Sequence, residues 1–289
     1  MDTLRGVSKG GPMSLSSPRP TVDAALVRRV ELAQAAQNRA ATPTHGILEL
    51  AGGLALFNGA NSPLTQALAL GLEGPVSTEA LDRVEAHLGQ QGGLLQLDLL
   101  PFADPSLSQE LARRGYRVGE FQQVFVRALP ASPPPPTAPG VELRPLRPGE
   151  AQVFSRTVAQ GFMGRDEVSD EESVLMLGTA TMPGTTCFLA LVDGEPAGGG
   201  TVAIHDGVAT LSGTGVRERF RGRGLQQALI STRLDWATRQ GCTLASSSTL
   251  PASPSQRNME RLGFFVAYPK VVMMRELTLT HVPQQRPAP

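Results

Sequence analysis

The sequence predicts a mixed α/β protein: two domains in tandem, each with helices flanking a mostly antiparallel mixed sheet. Three observations carry this expectation. A proline-rich segment, Ala131-Ser-Pro-Pro-Pro-Pro-Thr-Ala-Pro-Gly140, divides the chain near its middle. Three apolar runs joined by two Asp-Gly pairs form an antiparallel meander in the second half. The two halves are also weakly self-similar at one fixed offset.

Consecutive prolines offer no backbone donors and favour extended polyproline II, so residues 131–140 read as a semi-rigid linker. Residues 21–130 are then a first domain and 141–280 a second. Residues 1–20 mix Gly, Ser, Pro and Lys without an apolar core and read as a disordered leader, with 281–289 a short tail. In the second half Val141–Leu146 reads as a strand, followed by helical segments near Gly149–Gln160 and Glu167–Thr179. The runs Cys187–Val192, Gly200–His205 and Val208–Val216 are the meander, turning at Asp193-Gly194 and Asp206-Gly207, where the positive φ of a tight hairpin suits Gly and Asp. Leu225, Leu229, Thr232 and Trp236 recur at helical spacing, with Arg233, Asp235 and Arg239 between them, an amphipathic pattern. A strand at Cys242–Ser248, a short helix near Ser255–Leu262 and a strand from Phe264 to Leu277 complete the order β-α-α-β-β-β-α-β-α-β.

The internal match is clearest where Arg113-Arg-Gly-Tyr-Arg-Val118 overlies Arg261-Leu-Gly-Phe-Phe-Val266 without a gap. At the same offset the helix-like Ser77–Gln91 overlies Leu225–Arg239, and Leu94–Leu100 overlies Cys242–Ser248. The offset also pairs Arg221-Gly-Arg-Gly224 with Glu73-Gly-Pro-Val76. Glu73 repels an anion, Pro75 has no N–H and Val76 fills space where a ligand must approach closely. A phosphate site at the first segment is therefore expected to have no counterpart in the first half.

With 26 basic and 26 acidic residues the chain has no overall field for nucleic acid or an anionic membrane. Cys187 and Cys242 each lie in an apolar run and are expected as buried thiols. No stretch approaches the roughly 18–20 apolar residues that cross a bilayer. The expectation is a soluble, cytoplasmic monomer or homodimer without a metal site.

The segment that carries chemistry is Val216-Arg-Glu-Arg-Phe-Arg-Gly-Arg-Gly-Leu-Gln226, between a strand and an amphipathic helix. Gly222 and Gly224 let backbone approach a ligand, and the first amides of the next helix have no intrahelical partners. Those donors and the helix dipole suit a phosphate or diphosphate, with Arg219, Arg221 and Arg223 adding positive charge. The spacing is not that of a P-loop, which needs Gly-Lys-Ser/Thr, nor of a dinucleotide fingerprint in a parallel βαβ unit. Val216-Arg-x-x-x-Arg-Gly-Arg-Gly-Leu225 resembles the cofactor motif of the GNAT N-acetyltransferases, and Asn258-Met-Glu-Arg-Leu-Gly-Phe264 resembles that family's closing helix and its lead into the next strand. The resemblance covers Val141 to about Leu277, and with the internal match it implies two GNAT-like domains in tandem, residues 21–130 being a degenerate one that has lost, or never had, the cofactor site. It implies that acetyl-CoA is the cofactor, its diphosphate held by the amides near Arg221, Gly222, Arg223, Gly224, Leu225 and Gln226. It also implies that the strand end at Gly215 and Val216 pairs with the pantetheine arm, that Asn258 contacts the cofactor, and that the acceptor is a primary amine. Gln226 stands where the family usually has Gly or Ala.

Acetyl transfer needs a neutral amine, a stabilised thioester oxygen and a proton for the departing thiolate. Many family members carry a tyrosine acid four residues before the Leu-Gly-Phe glycine, and here that position is Met259. The candidate substitutes are Tyr268, which as a strand residue faces either the site or the core, and Ser247, in the run Ser246–Ser248 at a strand end. His205 reads as a base or a solvated turn residue. The acidic group Asp166, Glu167, Asp170, Glu171 and Glu172 reads as an acceptor-facing patch or a solvated helix start, and Ser255 as a cofactor contact or an N-cap. Three functions follow: an N-acetyltransferase, a catalytically silent CoA-binding regulator, and a ligand-free interaction protein.

Overall fold

The computed structural model describes residues 19–60, 62–131 and 137–277. Residues 1–18 of the expected leader, 132–136 of the linker and the whole 281–289 tail lie outside the described residues. The first half contains α1 (Ala24–Ala40), β1 (Ile47–Leu50), β2 (Gly53–Leu56), β3 (Gln66–Leu68), α2 (Thr78–Leu88), β4 (Gly93–Leu99), α3 (Pro105–Arg113) and β5 (Arg117–Ala128). The second contains β6 (Val141–Pro145), α4 (Ala151–Met163), α5 (Asp170–Ala180), β7 (Thr185–Val192), β8 (Glu195–His205), β9 (Val208–Val216), α6 (Leu225–Arg239), β10 (Leu244–Thr249), α7 (Pro254–Arg261) and β11 (Phe265–Leu277). This second-half order is the one the sequence predicts.

Local chemistry sets the boundaries. Side chains of Asp23, Ser77, Ser169 and Ser253 accept from amides in the first turns of α1, α2, α5 and α7. Ser253 therefore caps α7, and Ser255 lies inside that helix rather than at its cap. Both Asp-Gly turns adopt positive φ at each residue, joining β7 to β8 and β8 to β9 in antiparallel register. Cys187 and Cys242 are buried and unpaired, and burial pushes the Cys187 thiol up to about 11.

The two halves do not form separate sheets. The described strands make one 11-stranded sheet in the order β1-β2-β3-β4-β11-β5-β10-β9-β8-β7-β6. Each half thus sends its final strand into the other: β11 lies between β4 and β5, and β5 between β11 and β10. The β5–β11 pairing is self-consistent under the offset that lays Gly115 on Gly263. Val266 pairs with Phe125 and Met273 with Val118; Tyr268 pairs with Val124 and Val272 with Glu120. Each pair maps onto the other when the halves are exchanged, and Gln122 opposite Lys270 maps onto itself. Even the two bulges correspond, with Ala267 skipped on one strand and Gly119 on the other. A pseudo-two-fold axis therefore passes through the sheet at Gln122 and Lys270.

Adjacent strand residues point to opposite faces, which assigns the helices. Ala209, Leu211 and Ala245 pack with Leu225, Leu229 and Ile230 of α6. Val208 and Leu244 instead pack with Val27, Val30 and Ala33 of α1 on the other face. α1 also meets Leu56 of β2 and Leu68 of β3 through Ala35, so it contacts strands of both halves.

Candidate functional site

The strand end at Gly215 and Val216 has no β10 neighbour because β9 and β10 part company. They pair in parallel only from Val208–Thr210 to Leu244–Ser246, while β9 continues against β8 to Val216. Beyond Thr210 the β10 side of β9 has no strand partner among the described residues. A bulge shapes this stretch: the β8–β9 register shifts between Gly199/Gly215 and Thr201/Ser212, with Gly213 at φ +57. On the α1 face α4 packs directly on the backbone, for a Cβ on Gly161 would sit 2.5 Å from Val216 N and one on Gly215 2.6 Å from Val158 O.

On the α6 face the bulge is held by Arg233. Its Nη1 donates to the carbonyls of Thr201 (2.7 Å) and Ser212 (3.2 Å), its Nη2 to Thr214 Oγ1 (2.7 Å), and its Nε to Leu229 O (3.0 Å). The guanidinium is fully buried, and burial pushes it down to about 9. Gly200 makes room for it, since an added Cβ would lie 2.8 Å from Arg233 Cζ. The amphipathic pattern sets Arg233 among the polar residues of the helix; the structure puts it in the core. Its long stem and five donors reach the carbonyls of Thr201 and Ser212 beside the bulge, the second of which also accepts from Thr201 Oγ1 at 3.0 Å. Only the neighbouring run of glycines in β8 hints at this.

The loop after β9 is anchored at its base and open at its tip. Arg217 is buried, with ion pairs to Asp166 and Glu195 at 2.9 Å each and a hydrogen bond to Pro196 O. Phe220 is buried beneath the guanidinium groups of Arg217, Arg219 and Arg223, at 5.8, 5.0 and 5.6 Å from its centroid. Arg221 donates to Gly161 O (2.7 Å) and Val216 O (3.2 Å), tying the loop to α4. Among the described residues neither Arg221 nor Arg223 pairs with a carboxylate, so both keep an uncompensated charge.

Residues 221–224 are exposed, and Gly222 and Gly224 sit at φ +76 and +74 with nothing within 4 Å of a built Cβ. Gly224 is the N-cap of α6 and has no side chain to cap it. Arg221 N donates to Glu218 O and Ala228 N to Gly224 O. Among the described residues the amides of 222–227 between them donate to no protein acceptor. Six consecutive free donors, at a positive helix terminus beside two unpaired arginines, form a cradle suited to a diphosphate. Leu225 is buried beneath it. The Gln226 side chain turns aside, its Oε1 accepting from Asn258 Nδ2 at 2.8 Å, which links α6 to α7 across the opening.

The candidate acids fall differently. Ser247 follows the last β9–β10 pair, buried at the root of the opening, its Oγ donating to Leu211 O at 3.0 Å. Ser248 is exposed beyond it. Tyr268 is not brought to this place: β10 and β5 stand between β11 and β9. Its hydroxyl is buried and donates to Glu31 Oε1 at 2.8 Å, and burial with the nearby Glu31 charge raises it far above the usual phenol range. Sequence reasoning had no signal for this bond, whose partners are 237 residues apart. Met259 is buried in the core. His205 is exposed at the other end of β9 from the cradle. Of the acidic group, Asp166 holds Arg217, Glu172 completes the α5 capping box, and Asp170 pairs with Arg156 at 2.5 Å.

Comparison with known proteins agrees with this geometry. The acetyltransferase (GNAT) family matches residues 157–264, which contain the β9 end, the cradle and α7. No curated protein matches the chain. Among solved structures, a GCN5-related N-acetyltransferase from Kribbella flavida superposes with a TM-score of 0.66 at 19% identity, over 87% of this chain and 96% of that one. A tandem GNAT protein from the clavulanic acid biosynthesis pathway gives 0.58 at 17% identity, over 89% and 94%. A GCN5-related N-acetyltransferase from Sphaerobacter thermophilus gives 0.54 at 18%, over 80% and 75%. Residues 157–264 thus match the acetyltransferase (GNAT) family, in a chain whose fold is similar to that of a tandem GNAT protein.

Proposed function

We propose that the protein is an acetyl-CoA-dependent N-acetyltransferase that acts on a primary amine by direct attack in a ternary complex. The observation that carries this reading is the row of free amides at residues 222–227, beside the unpaired edge of β9. In this reading the backbone from Arg221 to Gln226 holds the diphosphate of the cofactor, and Gly215 and Val216 pair with its pantetheine arm. Asn258 contacts the cofactor from α7. Bound acetyl-CoA supplies an activated thioester: a C–N bond forms as the C–S bond breaks, the nitrogen releases a proton and the sulfur gains one. Backbone N–H groups at the β9 end stabilise the thioester oxygen. Ser247 stands at the root of the opening and Tyr268 does not, so the reading assigns the sulfur's proton to water held at Ser247. Tyr268 is left a structural role.

A second reading, a CoA-binding regulator without turnover, is favoured by one observation. The family's acid position is the buried Met259, and the remaining tyrosine candidate is committed to Glu31. Calorimetry with acetyl-CoA and release of free thiol across a panel of amines separate the two. Binding with turnover supports the enzyme, and binding without turnover on any amine supports the regulator. If acetyl-CoA produced neither heat nor a thermal shift at millimolar concentration, both readings would fail.

A further inference from the structure

The pseudo-two-fold axis relates two patches of the sheet on the α1 face, and the chain treats them differently. On one side α1 covers Val124, Val126 and Tyr268. The offset that exchanges the halves carries these onto Val272, Met274 and Glu120, which among the described residues belong to no hydrophobic cluster with a helix. They line instead a cavity of about 380 Å³, the size of a small-molecule pocket, walled by Gln34 and Asn38 of α1 and by Gln66 of β3. Gln96 faces Met274 across β4–β11 as Ser246 faces Val126 across β10–β5, and it joins the same lining. So where one copy of the patch seats a helix, the other keeps Val272 and Met274 but adds the Glu120 carboxylate and a wall of amides.

The polar lining is built and partly unspent. Among the described residues the side-chain amides of Gln66 and Gln96 have no hydrogen-bond partner. Lys270 and Asp98, both buried, pair at 2.8 Å in the floor. Behind them the buried Glu31 Oε2 has no hydrogen-bond partner among the described residues, with Lys270 Nζ 3.6 Å away. Among the described lining residues two carboxylates, Asp98 and Glu120, stand against one ammonium, Lys270, and Glu120 is bound only to Gln122 Nε2 at 2.6 Å. The cavity also reaches Ser248, two residues past the last β9–β10 pair, and so opens toward the place where those strands part.

We propose that this groove is the acceptor pocket, and that it takes a primary amine whose remainder bears neutral hydroxyl or amide groups and no anionic group. The inference rests on the acetyl-transfer reading for its role, but its binding chemistry stands on the groove alone. Neutral amides that both donate and accept match hydroxyls, the carboxylate excess draws an ammonium, and an added phosphate or carboxylate would be repelled.

Saturation-transfer NMR on the full chain tests it, with glucosamine as the probe and glucosamine 6-phosphate and phenethylamine as anionic and apolar comparators. Glucosamine is expected to bind best. Gln96→Leu and Glu120→Gln should each weaken it about five- to tenfold, as loss of one hydrogen bond or one charge does. Acetyl-CoA affinity and the unfolding midpoint should stay unchanged in both variants. No glucosamine binding, equal binding by both variants, or preference for either comparator would overturn the groove. The measurement needs no turnover, so its failure is distinct from failure of the acetyl-transfer reading, which thiol release reports.

Discussion

α2 and α6 occupy equivalent places in the two halves, and their N-termini are finished in opposite ways. Ahead of α2, the Ser77 side chain accepts from Ala80 N, Val76 N donates to Ser106 Oγ at 2.8 Å, and Val76 itself is buried. Pro75 has no donor to offer, and Glu73 is paired with Arg28 of α1. Ahead of α6 stand two glycines, no capping side chain and six amides without acceptors. One helix start is closed by the protein; the other waits for an external acceptor. The difference lies in a few residues and not in the fold, since the strands around both helices follow the same pseudo-symmetry.

That contrast can be broken directly by writing the first half's residues into the second. The triple change Arg221→Glu, Arg223→Pro and Gly224→Val should raise the acetyl-CoA Kd at least about 100-fold, because several charge-assisted bonds are lost together. Far-ultraviolet circular dichroism should show the fold retained, and calorimetry reads the affinity; an unchanged Kd would remove the cradle from the cofactor site. A second contrast lies within the same helices. At the position of Arg233 the first half has Glu85, which pairs with Arg275 at 3.0 Å and Arg114 at 3.1 Å. Arg233→Met should cost about 3 kcal/mol in urea unfolding, for Thr201 O and Thr214 Oγ1 lose a charged donor while Ser212 O keeps Thr201 Oγ1. Loss of under about 1 kcal/mol would show that the bulge holds itself.

Closing residues should matter only to stability. Ser77→Ala should cost about 1 kcal/mol by removing the α2 cap, with acetyl-CoA affinity unaltered. The smallest effect concerns the clamp at the start of α4. Both Glu150 oxygens accept from Arg144 at 2.7 Å, and this hydrogen bonding, with the Arg147 amide, holds the carboxyl at about 2. A folded-state value below the unfolded one near 4.5 gives stability that is present above pH 4.5 and lost as the pH falls toward 2. Glu150→Gln should therefore flatten the acid limb of Tm against pH in that window and leave neutral pH little changed.

The cradle was legible because its chemistry is local: Arg221, Gly222, Gly224 and the helix that follows are neighbours in the chain. The meander was legible for the same reason, since Asp-Gly turns specify both hairpins. The exchange of β5 and β11 was not, because alternation along a strand tells which face is buried and is silent on which strand lies alongside. The roles of Tyr268 and Arg233 followed the same rule. Tyr268 is decided by Glu31 on α1, and Arg233 by a bulge between β8 and β9, each a long-range partner that helical or strand periodicity does not encode.

The traded strands also set an order on how the protein can be made. When synthesis has passed the first half, β4 and β5 exist but the strand that belongs between them does not. Their facing edges carry unpaired backbone groups of the kind that invites association with other chains. They can be satisfied only once Leu277 has left the ribosome. The two repeats are therefore partners by construction: neither is a unit that could be inherited, expressed or degraded alone without exposing a gap one strand wide.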